Sequence, residues 1–160
     1  MEQKKFSVLL KVIITGAVIC CVLVYALIVP AVGHSLVEAG GEEFAPYYLP
    51  WYLFVLGTAL PIAAAAVLAW LIAVNIGRNR SFSRENAKYL SVIAILAAAD
   101  AAYFFIGNLV LLFLGMNHPG LLLASLLPVF AGVAIAVVAA ALSHYALKGA
   151  KLQEDNDLTI

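Results

Sequence analysis

Four long apolar runs separated by short polar stretches set the pattern of this chain. After Lys11, the run Val12 to Val32 carries no charge; at 1.5 Å per residue it covers about 31 Å, the thickness of a bilayer's hydrocarbon core. Comparable runs follow, so the pattern predicts membrane spans at about 12–32, 51–76, 89–115 and 121–147. Between them, 33–50 is broken by Gly40-Gly41, Pro46 and Pro50, 77–88 is basic, and 116–120 is a tight turn with Pro119-Gly120; glycine and proline end helices and mark connections. Ser83 followed by Arg84, Glu85 and Asn86 reads as a helix N-cap with an acid in the first turn, where a hydroxyl meets an unpaired N–H and a carboxylate favours the helix dipole. Span three therefore begins before the membrane. The expectation is an all-α polytopic protein, a four-transmembrane-helix bundle forming one membrane domain over 1–160.

Composition strengthens this reading and excludes others. Of the 160 residues, 65% are hydrophobic and only 11% charged, about half the charge usual in a soluble domain. No length remains for a separate soluble catalytic domain. Nine Lys plus Arg balance nine Asp plus Glu, so only the placement of charge is informative. Three basic residues precede span one (Lys4, Lys5, Lys11), four join spans two and three (Arg78, Arg80, Arg84, Lys88), and two follow span four (Lys148, Lys151), accounting for all nine. Basic residues resist translocation. Both termini, the 77–88 loop and the 148–160 tail are thus expected inside, at the cytoplasmic (plasma) membrane. The connections 33–50, with Glu38, Glu42 and Glu43, and 116–120, with His118, are expected outside. Aromatic residues agree: Tyr47, Tyr48, Trp51 and Tyr52 suit an outer interfacial belt, and Phe82, Tyr89 and Tyr145 an inner one. Span one ends in a poor match to a cleavage site, so it reads as an uncleaved signal anchor.

Helices in lipid gain little by hiding apolar surface from each other, so close packing needs small residues. Ala65, Ala69 and Ala73 recur every fourth residue on span two, Ala94, Ala98 and Ala102 on span three, and Gly132, Ala136 and Ala140 on span four. Span one lacks such a ridge and is expected to be the most lipid-exposed.

Candidate chemistry is sparse. Asp100 lies roughly 17 Å along span three, where a carboxylate costs a few kcal/mol and must face the interior, be hydrogen-bonded or be protonated. No basic residue lies at that depth; Thr15, Tyr103, a water or a second copy are the candidate partners. Asp100 reads either as a proton or cation site or as a packing hydrogen bond, and the second is favoured because a relay needs more than one intramembrane polar group. Pro30, Pro61 and Pro128 each remove a helical hydrogen bond and together can open an apolar cavity near Phe104, Phe105, Phe113 and Phe130, although proline is also simply tolerated in spans. His34 and Glu38, spaced i, i+4, with His118 and Glu42 or Glu43, make a weak metal-ligand set beside the plainer reading of a solvated acidic loop, and no metal is assigned. Cys20 and Cys21 read as packing residues. Asn75, Asn108, Ser125 and Ser143 are expected to hydrogen-bond between helices. Without a phosphate loop, nucleophile elbow or paired intramembrane carboxylates, the sequence points away from an enzyme and calls for no cofactor.

Specificity is left to the inner surface: the 77–88 loop and the acidic end Glu154-Asp155-Asn156-Asp157-Leu158-Thr159-Ile160. Loop and tail have opposite charge and can pair with each other, while Leu158 and Ile160 alternate across Thr159 as a strand-addition motif does. Together with four spans, these two segments resemble the uncharacterised bacterial and archaeal membrane family numbered 2975 among domains of unknown function. The resemblance singles out Phe82, Ser83, Glu85, Asn86, Asp157, Leu158, Thr159 and Ile160 as a partner-binding face. It also implies a cytoplasmic helix-turn-helix regulator as partner, with no direct contact to nucleic acid. Asp100 and the outer His/Glu set match no motif of that family. Two functions follow as expectations: a non-enzymatic regulatory partner of such a regulator, or a small transporter or channel, oligomeric if need be, using Asp100.

Overall fold

The structure, a computed structural model, describes residues 2–40 and 45–157. Its elements are α1 (Glu2–Leu23), a π-helical turn (Val24–Ile28), α2 (Val29–Gly40), a short 3-10 turn (Ala45–Tyr47), α3 (Tyr48–Gly57), α4 (Ala59–Gly77), α5 (Arg84–Phe113) and α6 (Pro119–Asp157). Among the described residues there is no strand. Four helical stretches, Glu2–Ala39, Ala45–Gly77, Arg84–Phe113 and Pro119–Asn156, are long and apolar enough to cross a membrane. This is an all-helical membrane protein, and its surroundings are a lipid bilayer. The spans run back and forth, which brings the start of α1, the end of α6 and the 77–88 loop to one end of the molecule, here the basic end.

Prolines explain where the helices break. A proline lacks an N–H and its ring collides with the carbonyl four residues earlier. Pro61 therefore cannot continue a helix through Gly57, and α3 stops there; α4 restarts at Ala59, with Pro61 in its first turn. In the first span Pro30 follows the π turn, where the Val29 N–H reaches back five residues to the Val24 carbonyl. The wider turn absorbs the ring without ending the helix. By contrast α6 runs unbroken through Pro128. Helix α2 continues to Gly40, well into the segment read as a connection, and at Gly33 the Tyr48 ring lies where a side chain would stand: a Cβ there would come within 2.5 Å of Tyr48 Cε2.

Packing follows the chain, α1 on α4, α4 on α5, and α5 most extensively on α6. The α5–α6 seam is built of small residues at intervals of seven. Ala87, Ala94, Ala101 and Asn108 are buried on α5, and Ser125, Ala139 and Ala146 on α6, with half-buried Gly132 in register between them. A Cβ on Gly132 would stand 3.1 Å from that of Ala101. The four-residue ridges expected on these spans hold only in part: Ala94 and Ala136 are buried and Gly132 half-buried, but Ala98, Ala102 and Ala140 are exposed. An interval of seven keeps to one seam at 3.5 residues per turn, whereas an interval of four drifts around the helix. Span two keeps its ridge, with Ala65 and Ala69 half-buried and Ala73 buried. Ser7 is the one buried side chain of α1, donating to the Ala73 carbonyl at 2.6 Å; Leu10, Lys11, Ile14 and Cys21 are half-buried, and the remainder of α1 is exposed as expected.

Candidate functional site

The basic end is shaped by a tight chain reversal. Asn79 takes a left-handed conformation (φ 61°), the Asn79 N–H bonds the Ile76 carbonyl at 3.1 Å and the Arg80 N–H the Asn75 carbonyl at 2.9 Å. These two bonds close α4 as a Schellman cap, with asparagine in the place usually taken by glycine. Helix α5 then opens on Ser83, whose Oγ accepts from the Asn86 N–H at 3.2 Å, with Glu85 in the first turn. Asn86 is 1% exposed. Its Oδ1 accepts from Asn75 Nδ2 at 2.9 Å, and its Nδ2 donates to the carbonyls of Arg80 (2.9 Å) and Ser81 (3.1 Å). The loop is thus held from beneath by a buried amide clasp joining α4, the loop and α5.

On top of this clasp the loop meets the end of α6. The Phe82 ring lies over Gly149, where a Cβ would fall 2.7 Å from Phe82 Cδ1, yet the side chain remains 54% exposed. Arg84 forms a two-point ion pair with Glu154, Nε to Oε1 at 2.8 Å and Nη2 to Oε2 at 2.6 Å. The hydrogen bonds from Arg84 hold the Glu154 carboxyl below the usual carboxylate range. Ser143 adds a bond from α6 to the Ala87 carbonyl at 2.7 Å. Loop and tail do pair, across 70 residues of sequence. Of the residues singled out from sequence, Phe82, Ser83 and Glu85 share this surface, while Asn86 supports it from inside. Asp157 ends α6, and Leu158, Thr159 and Ile160 lie outside the described residues.

The opposite end repeats the construction in apolar surroundings. Gly115 (φ 71°) closes α5, with the Met116 N–H on the Leu111 carbonyl at 2.9 Å and the Gly115 N–H on that of Leu112 at 3.0 Å. A second buried amide pair, Asn117 Nδ2 to Asn108 Oδ1 at 3.0 Å, clasps this turn. Beside it a cavity of about 260 Å³ is lined by Tyr48, Trp51, Met116 and His118. His34 stacks on Tyr48 with ring centroids 4.6 Å apart, and His118 Nδ1 accepts from the Gly120 N–H at 3.1 Å. His34 and Glu38 share α2, but among the described residues no three His, Cys, Asp or Glu side chains are grouped to hold a metal; Glu42 and Glu43 lie outside those residues.

Midway along the molecule, a cavity of about 470 Å³ is bounded by all four spans, by Val29, Pro61, Phe104 and Pro128 among others. Three polar side chains reach its wall: Tyr25, Thr58 and Asp100. The Thr58 hydroxyl donates to the Val55 carbonyl at 2.7 Å, which uses its one hydrogen; the Tyr25 hydroxyl accordingly donates to Thr58. Neither hydroxyl foreseen as a partner for Asp100 serves it, since Thr15 bonds the Lys11 carbonyl (2.8 Å) and Tyr103 the Phe54 carbonyl (3.1 Å). The buried Asp100 Oδ1 has no hydrogen-bond partner among the described residues. Sequence reasoning marked Asp100 and the prolines but not Tyr25 or Thr58; a hydroxyl three residues before Pro61 was the available signal.

Comparison with known proteins adds a family and little chemistry. The family described as Protein of unknown function (DUF2975) matches residues 36–160. The uncharacterized membrane protein YoaS of Bacillus subtilis (strain 168) is 28% identical over 119 residues, covering 73% of each chain. No solved structure matches the chain significantly.

Proposed function

The chain belongs to the DUF2975 family of membrane proteins of unknown function, and from that premise we propose that it is a regulatory membrane protein without enzymatic activity, presenting a composite surface to a cytoplasmic partner. The observation that carries this reading is the join between loop and tail: Phe82 seated on Gly149 and Arg84 paired with Glu154. Neither contact is needed to cross a bilayer. Each fixes a segment that a purely structural connection would leave to solvent. Around them Phe82 and Glu85 stay exposed on a loop whose backbone is fixed by a buried clasp, the pre-organised arrangement that makes a recognition surface effective.

All nine Lys and Arg flank the spans at this end, and basic residues resist translocation, which supports a cytoplasmic placement of this end, with both termini, at the plasma membrane. The partner we assign is a small helix-turn-helix regulator, held at the membrane by the 77–88 loop and the C-terminal tail through Asp157, Leu158, Thr159 and Ile160. The test is a tagged pull-down in mild detergent from the native cell. It compares the full chain, a chain ending at Lys151, and Phe82→Ala/Glu85→Ala. A small DNA-binding protein retained by the full chain and lost from both variants is the expected result. Partners and downstream expression that are the same for all three would remove the regulatory reading.

A further inference from the structure

We propose that the cavity among the four spans is a binding site for an apolar molecule carrying a cationic amine, with Asp100 as the group that receives its N–H. This goes beyond the regulatory reading and does not depend on it. The cavity, at about 470 Å³, falls within the range of small-molecule sites, which are mostly apolar with a few polar groups that fix orientation. Its walls answer to that description: Val, Ile, Leu, Ala, Pro and Phe side chains, interrupted only by Tyr25, Thr58 and Asp100.

The three polar groups are not equivalent. Tyr25 and Thr58 satisfy each other and the Val55 carbonyl, so they offer no free donor. Asp100 Oδ1 is buried and, among the described residues, unpartnered, the side chain as a whole is half-buried and lines the cavity, and every Lys and Arg belongs to the flanking segments outside the apolar runs. A buried carboxylate oxygen left without a donor is strongly disfavoured. A lipid acyl chain can fill apolar space but has no hydrogen to give. An ammonium group supplies both the missing donor and the missing charge, and a charge-assisted bond is about twice as strong as a neutral one. An apolar body on that amine completes the fit to the remaining wall.

The test uses the full chain in lipid nanodiscs with 1-adamantylamine as probe and its neutral counterpart 1-adamantanol as control, binding being read above that of protein-free nanodiscs. The expected result is saturable binding of the amine, about tenfold or more weakened by Asp100→Asn, with the alcohol bound more weakly by the wild type. Ala65→Leu, which narrows the cavity without touching Asp100, should weaken the amine as well, and both variants are checked for helical content and monodispersity. Equal binding by Asp100→Asn, an alcohol bound as tightly as the amine, amine binding unchanged in Ala65→Leu, or no saturable binding to the wild type would each overturn the assignment. The last two comparisons hold even if Asp100→Asn fails to fold.

Discussion

The second pair of spans packs along one continuous seven-residue seam, whereas both spans of the first pair are interrupted, one by the π turn at Val24–Ile28 and the other at Thr58. The two interruptions meet, because Tyr25 in the π turn bonds Thr58 at the break. Small residues repeated in step with the helix bring α5 and α6 close; in the first pair the helical breaks beside Pro30 and Pro61 fall at one level. The difference is what creates the cavity, which lies where the loosened pair faces the tight one. One half of the molecule is a frame and the other is an interrupted wall.

Adding bulk on each side is the strongest way to break this contrast. Gly132→Leu forces a side chain against Ala101 in the seam and should lower stability by about 1–3 kcal/mol, seen as a clear drop in the detergent melting temperature. Ala65→Leu adds one carbon less and faces the cavity, and should leave the melting temperature nearly unchanged. Equal losses for both would erase the distinction between frame and wall. Next in size is Asn86→Ala, which strips buried partners from Asn75 and from the Arg80 and Ser81 carbonyls. It should cost about 1–3 kcal/mol and speed amide hydrogen exchange through 79–83. Asn117→Ala at the other turn should act only on 114–120.

Pro61→Ala restores the missing N–H and removes the ring, so α3 and α4 should fuse. Slower hydrogen exchange at residues 59–62 and loss of the Tyr25–Thr58 bond would register the change; unaltered exchange would mean that the break has another cause. The smallest effect concerns the exposed Arg84–Glu154 pair. Such pairs add little to stability and are screened by salt. Because Arg84 lowers the pKa of Glu154, the pairing is fully present above the ordinary glutamate range and is lost as pH falls through the lowered value. A spin label at Lys151 should therefore gain motion at acid pH and in high salt, and Glu154→Gln should show that motion at neutral pH.

Much of the architecture could be read from the chain. Four spans follow from run length, the Ser83 cap from local chemistry, and the loop–tail pairing from opposite charge. What escaped depends on three-dimensional context. Alanines occur at both four- and seven-residue intervals on spans three and four, so composition alone does not choose the seam; contact between Gly132 and Ala101 does. Asn86 carries the same polar label whether it faces solvent or fills a clasp, and only the position of Asn75 across the reversal decides. Prolines flagged loosened helices, but that Pro30 yields a π turn, Pro61 a break and Pro128 an unbroken helix depends on what surrounds each ring. Asp100 was conspicuous by its cost, yet its lack of a partner became visible only when Thr15 and Tyr103 were found bonded elsewhere.

Helix α6 has 39 residues, about 58 Å of rod, nearly twice what a hydrocarbon core requires. The seam and the Ser143 bond to the Ala87 carbonyl hold that rod to α5 along most of its length. Seen mechanically, α6 is a mast stepped against α5, and its tip, about 16 Å beyond Ser143, is stayed to the 77–88 loop by the Arg84–Glu154 pair.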